Sequence, residues 1–567
     1  MVEKRWIVRD VDADQRMTLA RALSISPITA AVLLARGVDN AEQASLWLEP
    51  GSLVEHDPYL IPDMEKAVQR LHRAVRDGER ICFYGDYDVD GISATSIFET
   101  FFRGLGAEAL HYIPHREREG YGLNEDAVRR LSKDGVRLLV TSDCGTTSQR
   151  EIEVAQSLGV DVIVTDHHQV PAQLPPALAL LNPHRHDSMY PFKSLCSGGL
   201  AYKVIQAYSQ RFGDGGTPTE SFQDLVALST IADVVPLQGE NRRFVLEGLA
   251  LITHGGRKGI RALKQAAGVE RSCSAGTVAF RLAPILNAAG RLAHAEAAVR
   301  LLTTPSEPEA TRLAAELGGL NRERQQIEEA ITAEARASLD QDDVPPALVL
   351  AARHWHVGVV GIVAARLVER YHRPSVVIAI DERGIGRGSA RSIPGLNLVQ
   401  AFSECQDLLE AYGGHPRAAG LTLREDRISE FRSRFTRVVV ETAGERRPEP
   451  TLHVDAEVSL VDVSRTLVRE LENLQPFGEG NPEPTLAVRQ VTVLSTRVVG
   501  NQHLKLTVRG GNSPPVEGIG FRMGSHAARG LSAGQAVDLA FAPELNLWKG
   551  LERIQLRLRD VKTSPIA

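Results

Sequence analysis

The sequence predicts an α/β protein in which two α/β domains, the first built on a parallel sheet, are joined by a long helix and followed by a small β-barrel. Three observations predict this. From about residue 65 to 235, short apolar strands alternate with amphipathic helices, the pattern of βαβ units. The stretch LNRERQQIEEAITAEARASL (320–339) is long, charged and free of Gly and Pro, which suits a helix bridging two domains. Beyond Arg446-Arg447-Pro448-Glu449-Pro450, a linker, the chain reads as short strands with Gly and Asn turns, as in a small barrel of oligonucleotide-binding type.

Taken in order, residues 1–60 form a helical lead, broken at Ser26-Pro27 and without visible chemistry. The first α/β domain spans 61–315. Its helix MEKAVQRLHRAV stops at Asp77-Gly78, and the strands ICFYG (81–85), RLLVTS (137–142) and DVIVTD (161–166) follow, with QREIEVAQSLG helical between the last two. Residues 240 to 340 are mainly helical; the connecting helix occupies 316–342 and Pro345-Pro346 ends it. The second α/β domain, 343–446, opens with ALVLAA (347–352) and SVVIAI (375–380), and the barrel covers 451–563. The length agrees, since 567 residues correspond to about three to five domains.

Composition excludes several classes. An apolar fraction of 43% and a charged fraction of 24% are those of a globular protein, neither disordered nor a disulfide scaffold. Against 71 Asp and Glu stand 65 Lys and Arg, a formal net charge of −6, so there is no uniform basic coat. A nucleic-acid site is still compatible, because it depends on where basic groups cluster. No apolar run is long enough for a transmembrane helix, and MVEKRWIVRD has neither an apolar core nor a cleavage site of a signal peptide. Cys82, Cys144, Cys196, Cys273 and Cys405 are scattered and never in CxxC spacing, as expected of reduced thiols in a cytoplasmic protein.

Each of these first-domain strands ends in an acid. ICFYG runs into Asp86-Tyr87-Asp88-Val89-Asp90-Gly91, RLLVTS into Asp143-Cys144-Gly145, and DVIVT into Asp166-His167-His168, while the helix FQDLVALSTIA runs into Asp233. In such sheets ligands sit at the carboxyl ends of the strands. Acids crowded there repel one another unless a cation neutralises them. Carboxylates with imidazole suit Mn²⁺ or Mg²⁺, and more than three acids suggests two ions. A lone Asp at a strand end is commonly a helix N-cap, and a lone His pair a surface feature; their joint recurrence is what points to a metal centre. DYDVDG also matches the start of a calcium-binding EF-hand loop, but the twelfth residue from Asp86 is Ile97 instead of Glu and the segment follows a strand. That reading fails.

The order DYDVDG, TSDCG, Asp-His-His and IADVVPL resembles the four motifs of the DHH phosphoesterase superfamily. IPHREREGYGLN (113–124), LAPILNAAGRL (282–292), GSARS (388–392), YGGHPRAAG (412–420) and PFGEGNPEP (476–484) extend the resemblance over nearly the whole chain, toward the superfamily's bacterial single-strand-specific exonucleases. It implies a DHH domain, a DHHA1 domain and an OB-fold for the two α/β domains and the barrel. The implied activity is 5′→3′ degradation of single-stranded DNA to mononucleotides in recombination and repair. The implied cofactors are two Mn²⁺ or Mg²⁺ ions that activate a water for in-line attack, held by Asp88, Asp90, Asp143, His167 and Asp233, with Asp143 as the bridge. His168 then meets the scissile phosphate or its leaving group, and Asp86 orients a ligand or a water. Many relatives carry His where Tyr84 stands, so one ion is expected to bind more weakly here.

The resemblance also assigns the DNA 5′ phosphate to Ser389 and Arg391, in a glycine-flanked loop, together with Arg281. Nearby Arg366, Arg370, Arg373, Arg383 and Arg387 outnumber Glu369, Asp381 and Glu382, the footprint of a strand-binding groove. His415 is placed at the cleft, and His115 and Arg116, with Tyr121 and Gly122, along its lining. His354 and His356 are read as core or groove lining, and Phe477, His503, Lys505 and Trp548 as barrel positions open to stacking or phosphate contact. The implied partners are single-stranded DNA, a single-strand-binding protein and a repair helicase, for a cytoplasmic monomer with no membrane association. Two alternatives stand beside this reading. One is a superfamily phosphodiesterase on short oligonucleotides or cyclic dinucleotides, which the barrel disfavours; the other is a noncatalytic single-strand-binding relative, which the intact ligand set disfavours.

Overall fold

A computed structural model describes residues 4–340, 343–443, 449–500, 502–524, 531–548 and 551–563. Arg446, Arg447 and Pro448 of the expected linker, and the side chain of Trp548, lie outside the described residues. The chain divides into two compact units, one of residues 54–448 with 478–480 and one of 1–53, 449–477 and 481–567.

The larger unit begins with an all-parallel five-stranded sheet in the order Ala109–Tyr112, Arg80–Gly85, Val136–Ser142, Asp161–Thr165, Ala179–Leu181. Its strands feed two cores because successive side chains point to opposite faces. Ile81 and Phe83 pack with Ile97, Phe98 and Phe102, whereas Cys82 and Tyr84 pack with Val128, Leu139 and Val164. Helices on both faces let the strands run parallel, and every strand therefore delivers its carboxyl end to the same edge.

The second sheet is mixed, in the order Ala411–His415, Ala418–Arg424, Ile385–Arg391, Ser375–Ile380, Leu348–Ala352, and only its last pair is parallel. Ser389 and Arg391 thus stand on a strand, not in the expected loop. Gly388 suits a strand at that point because a Cβ there would come within 2.9 Å of both Ile378 and Leu421 side chains. The connecting helix runs Glu307–Ala337 and so begins earlier than expected; Ser306 caps it, accepting from the Glu309 amide, and Gly318-Gly319 does not interrupt it. His354 is exposed and bonded to Glu334 at 2.7 Å, and His356 caps the helix Val357–Tyr371, so neither is a core residue.

In the smaller unit the strands Leu486–Val499, His503–Arg509, Val516–Gly520, Leu551–Thr563 and Ala536–Trp548 pair in that order, and the first pairs with the last to close a barrel. The N-terminal lead belongs to this unit. Arg5–Val8 pairs in parallel with Thr451–Val454, and Leu19, Val32 and Leu33 share a core with Leu467 and Leu471. Phe477 packs against that core, Lys505 is paired with Glu517, and His503 meets Phe521 edge-on at 5.3 Å. Among the described residues no single helix is long and apolar enough to cross a membrane.

Candidate active site

Five acids and two imidazoles meet at the carboxyl edge of the parallel sheet. Asp88 ends the turn after Arg80–Gly85 and caps the helix Val89–Gly104, accepting from the amides of Asp90 (2.9 Å) and Gly91 (3.3 Å). Asp90 lies in the first turn of that helix. Its carboxylate accepts from the amides of Ser197 (2.8 Å) and Gly198 (2.9 Å), at the N-terminus of the helix Ser197–Phe212, and from the Ser229 hydroxyl. Asp143 adopts a left-handed backbone, φ 65°, at the end of Val136–Ser142. Such a conformation is costly outside glycine and is found chiefly where a side chain must be re-aimed. Its carboxylate lies 3.2 Å from His167 Nε2, which is also 3.5 Å from Asp90 and 3.6 Å from Asp233.

Three overlapping sets of donor atoms each fit within 4.8 Å: Asp86, Asp88 and Asp143; Asp90, His167 and Asp233; and Asp143, His167 and His168. Asp143 is shared by two of them. Burial and mutual repulsion push the carboxyls of Asp86, Asp88 and Asp143 above their ordinary range, and that of Asp233 up to about 9. Burial lowers the His167 pKa and favours the neutral, ligating form. Asp86 Oδ1 and Asp233 Oδ2 are buried and have no hydrogen-bond partner within the protein. Orphaned, crowded carboxylate oxygens beside a neutral imidazole are what a divalent-cation site offers, so the donor set fits Mn²⁺ or Mg²⁺. Asp86, expected to stand behind the ligands, presents an oxygen level with those of Asp88 and Asp143.

Asp166, the acid of the Asp-His-His tripeptide, has another task, which the sequence analysis did not assign. It accepts from His168 Nδ1 (2.8 Å), the His168 amide (3.2 Å) and the Thr146 amide (3.0 Å). Burial alone would push its carboxyl up, yet these bonds, chiefly that from His168, hold it at about 2. In return, the His168 pKa stays above its usual value despite burial. The His168 ring stacks toward His415, centroids 6.5 Å apart. Tyr121 donates to the Asp143 carbonyl oxygen at 2.7 Å. Tyr84 is fully buried, donates to the Gly122 carbonyl oxygen at 2.9 Å and stacks on Tyr112, so it is no part of the cluster.

Arg281 does not join Ser389 and Arg391; its guanidinium donates to the carbonyl oxygens of Ala267 (2.6 Å) and Gly268 (2.9 Å). Arg291, ten residues further on, approaches the same helix as Ser389 and Arg391, since a Cβ on Gly358 would meet the Arg291 carbonyl oxygen and one on Gly361 would meet the Ser389 and Arg391 side chains. Arg291 donates to the Gly358 carbonyl oxygen at 3.1 Å; burial and the neighbouring Arg116 and Arg324 push its pKa down to about 10. Burial and Arg116 also lower the pKa of Arg391, which donates to Ser389 Oγ at 3.1 Å. Gly361 lets the helix Val357–Tyr371 approach, since a Cβ there would sit 2.8 Å from Ser389 Oγ. Arg116 lies over the Tyr87 ring at 4.9 Å, and the His115 ring meets His294 at 6.0 Å. Of the remaining arginines, Arg366 is engaged by Glu328 and Glu369. The positive wall is therefore Arg116, Arg291 and Arg391, a set drawn from three separate segments.

Parallel-sheet architecture, strand-end carboxylates and a facing arginine wall define a phosphoesterase of the DHH type. Family models agree: residues 80–230 match the DHH family N-terminal domain, 345–441 the DHHA1 domain, and 454–560 the RecJ OB domain. The chain belongs to the RecJ family. It is 38% identical to the single-stranded-DNA-specific exonuclease RecJ of Bacillus subtilis, over 99% of this chain and 71% of that protein. Identity to the RecJ of Escherichia coli is 34%, over 95% and 96% of the two chains. The crystal structure of RecJ in complex with Mn²⁺ from Thermus thermophilus superposes with a TM-score of 0.85 at 32% identity, covering 99% of this chain and 80% of that one.

Proposed function

We infer that the chain is a single-stranded-DNA-specific exonuclease that removes 5′ mononucleotides one at a time. The observation that carries this is the convergence of Asp86, Asp88, Asp90, Asp143, Asp233, His167 and His168, with two carboxylate oxygens left without partners. Asp88, Asp90, Asp143, His167 and Asp233, with Asp86 beside them, would hold two Mn²⁺ or Mg²⁺ ions, which neutralise the phosphate and lower the pKa of the attacking water.

The chain's own residues do the rest. Amides at a helix N-terminus and Ser229 fix the Asp90 carboxylate, so the ligand geometry is set before substrate arrives. Asp166 occupies His168 Nδ1, which raises the proton affinity of the ring, orients it and leaves Nε2 for the phosphate or the departing O3′. Ser389, Arg391 and Arg291 take the terminal 5′ phosphate; Arg116, His115 and His415 line the approach. Water adds to phosphorus, the P–O3′ bond breaks and O3′ gains a proton. The products are a 5′ mononucleotide and a strand with a new 5′ phosphate, ready for the same arginines.

The motif resemblance further supports a cytoplasmic monomer working in repair beside a single-strand-binding protein and a helicase. The test of the activity compares 5′-labelled and 3′-labelled single strands and a blunt duplex with Mn²⁺. Mononucleotide release from the 5′ label of single strands alone is expected. Release from the 3′ end first, equal digestion of duplex, or turnover confined to dinucleotides would overturn the reading.

A further inference from the structure

We propose that Phe280 is a stacking platform for a base of the bound single strand, so that the protein grips its substrate well away from the reacting phosphate. The proposal rests on the nuclease reading above and adds a substrate contact to it. Phe280 is 83% exposed, more than any other large apolar side chain among the described residues. Scattered exposed apolar residues are ordinary, but this one has a specific place. It lies in a single π-helical turn, Val278–Leu282, that runs directly into the helix Ala283–Leu292, and π-turns inside α-helices are frequently functional.

From Leu282 to Gly290 the helix is buried except at Pro284 and Asn287. With Phe280 before them and the half-buried Arg291 after, these positions follow the spacing of one helix face, so a single accessible stripe runs from Phe280 to Arg291. The far end of that stripe is the active site: Asn287 accepts from the Val89 amide, in the helix that Asp88 caps, and Arg291 belongs to the arginine wall. Eleven residues at helical rise place Phe280 about 16 Å from Arg291, a reach of at most about five nucleotides at stacked spacing. Arg281, the next residue, is itself exposed and donates to the Ala267 and Gly268 carbonyl oxygens. An exposed aromatic on the same helix face as an arginine of the phosphate site matches a nucleobase on a polyanionic strand, and stacking of this kind tolerates any base.

The test uses the full chain as Phe280→Ala and Phe280→Tyr, with 5′-phosphorylated DNA of about twenty nucleotides and a 5′-phosphorylated dinucleotide too short to reach the ring. Phe280→Ala is expected to raise KM for the long strand about tenfold, the scale of one lost base stack, while its kcat and the dinucleotide kcat/KM stay unchanged. Phe280→Tyr keeps the parent behaviour. A single abasic site within the first five or so nucleotides should raise KM for the parent and for Phe280→Tyr but not for Phe280→Ala. A long-strand KM within about twofold of the parent in Phe280→Ala, or equal losses on both substrates, would overturn the proposal. Failure of the unmodified chain to turn over any strand would instead defeat the nuclease reading, and this inference with it.

Discussion

The two walls of the cleft solve one electrostatic problem with opposite signs. On the sheet edge stand Asp86 and Asp143, buried, and Asp88 and Asp233, half-buried, carboxyls whose pKa values are raised by desolvation and by neighbouring acids. Facing them, Arg291 and Arg391 are half-buried guanidiniums whose pKa values are pushed down by desolvation and by the neighbouring Arg116. Neither wall is comfortable alone, because desolvated like charges need a counter-charge. Divalent cations suit the first wall and a phosphate dianion the second. The walls differ in how they are built. The acids are fixed by local backbone features, namely strand ends, helix caps and helix N-termini. The arginines are brought together by tertiary packing of three segments.

Breaking the acid wall should cost most. Asp143→Ala is expected to lower kcat by more than about a hundredfold, since losing even an outer partner of a metal ligand costs ten- to a hundredfold; nucleotide release at saturating strand measures it. Asp166→Asn, which leaves the ligands in place but takes the charge from the His168 partner, should cost about ten- to a hundredfold in kcat. The arginine wall should respond in KM. Arg291→Ala is expected to raise KM for a 5′-phosphorylated strand about tenfold or more while barely affecting a 5′-hydroxyl strand, the worth of one charge-assisted hydrogen bond. Arg281→Ala should leave that phosphate preference intact, and a swap of the two phenotypes would restore the arginine that the sequence analysis chose.

A smaller effect separates the walls by pH. Asp233, at about 9, binds a proton in the folded metal-free chain that it loses in the unfolded chain above the ordinary carboxylate range. The folded state then holds more protons, so stability should fall as pH rises from about 4 to about 9. Mn²⁺ should flatten that slope, raising Tm most at the alkaline end; thermal denaturation with and without the ion checks it. Smallest of all is Tyr84→Phe, which removes the bond to the Gly122 carbonyl oxygen for about 1 to 3 kcal/mol and should leave Mn²⁺ demand unaltered. A changed demand would mean that Tyr84 does reach the metal centre.

The contrast also explains what the sequence discloses. DYDVDG, TSDCG and Asp-His-His are each strand-end signals a few residues long, so the acid wall is legible without a structure. Arg291 was not, because LAPILNAAGRL has one arginine and another precedes it at 281; choosing between them depends on helical phase and on the approach of Gly358. The four-and-three spacing of Asn287 and Arg291 with Pro284 is the signal that would have found it. Asp166 hid inside the tripeptide, its role visible only once His168 Nδ1 and the Thr146 amide are seen to converge on it. The N-terminal strand Arg5–Val8 is not legible in the sequence, since its partner, Thr451–Val454, stands more than four hundred residues away and leaves no local pattern. The connecting helix starts at Glu307 rather than 316 because a Ser306 cap, accepting from the Glu309 amide, nucleates it earlier.

The central claim, that the strand-end acids form one shared two-ion centre, is tested most directly by titrating the metal-free full chain with Mn²⁺ under electron paramagnetic resonance. The account predicts two ions per chain with an exchange-coupled signal, and loss of the coupling in Asp143→Ala. Uncoupled ions in the unmodified chain, or coupling that survives Asp143→Ala, would contradict it.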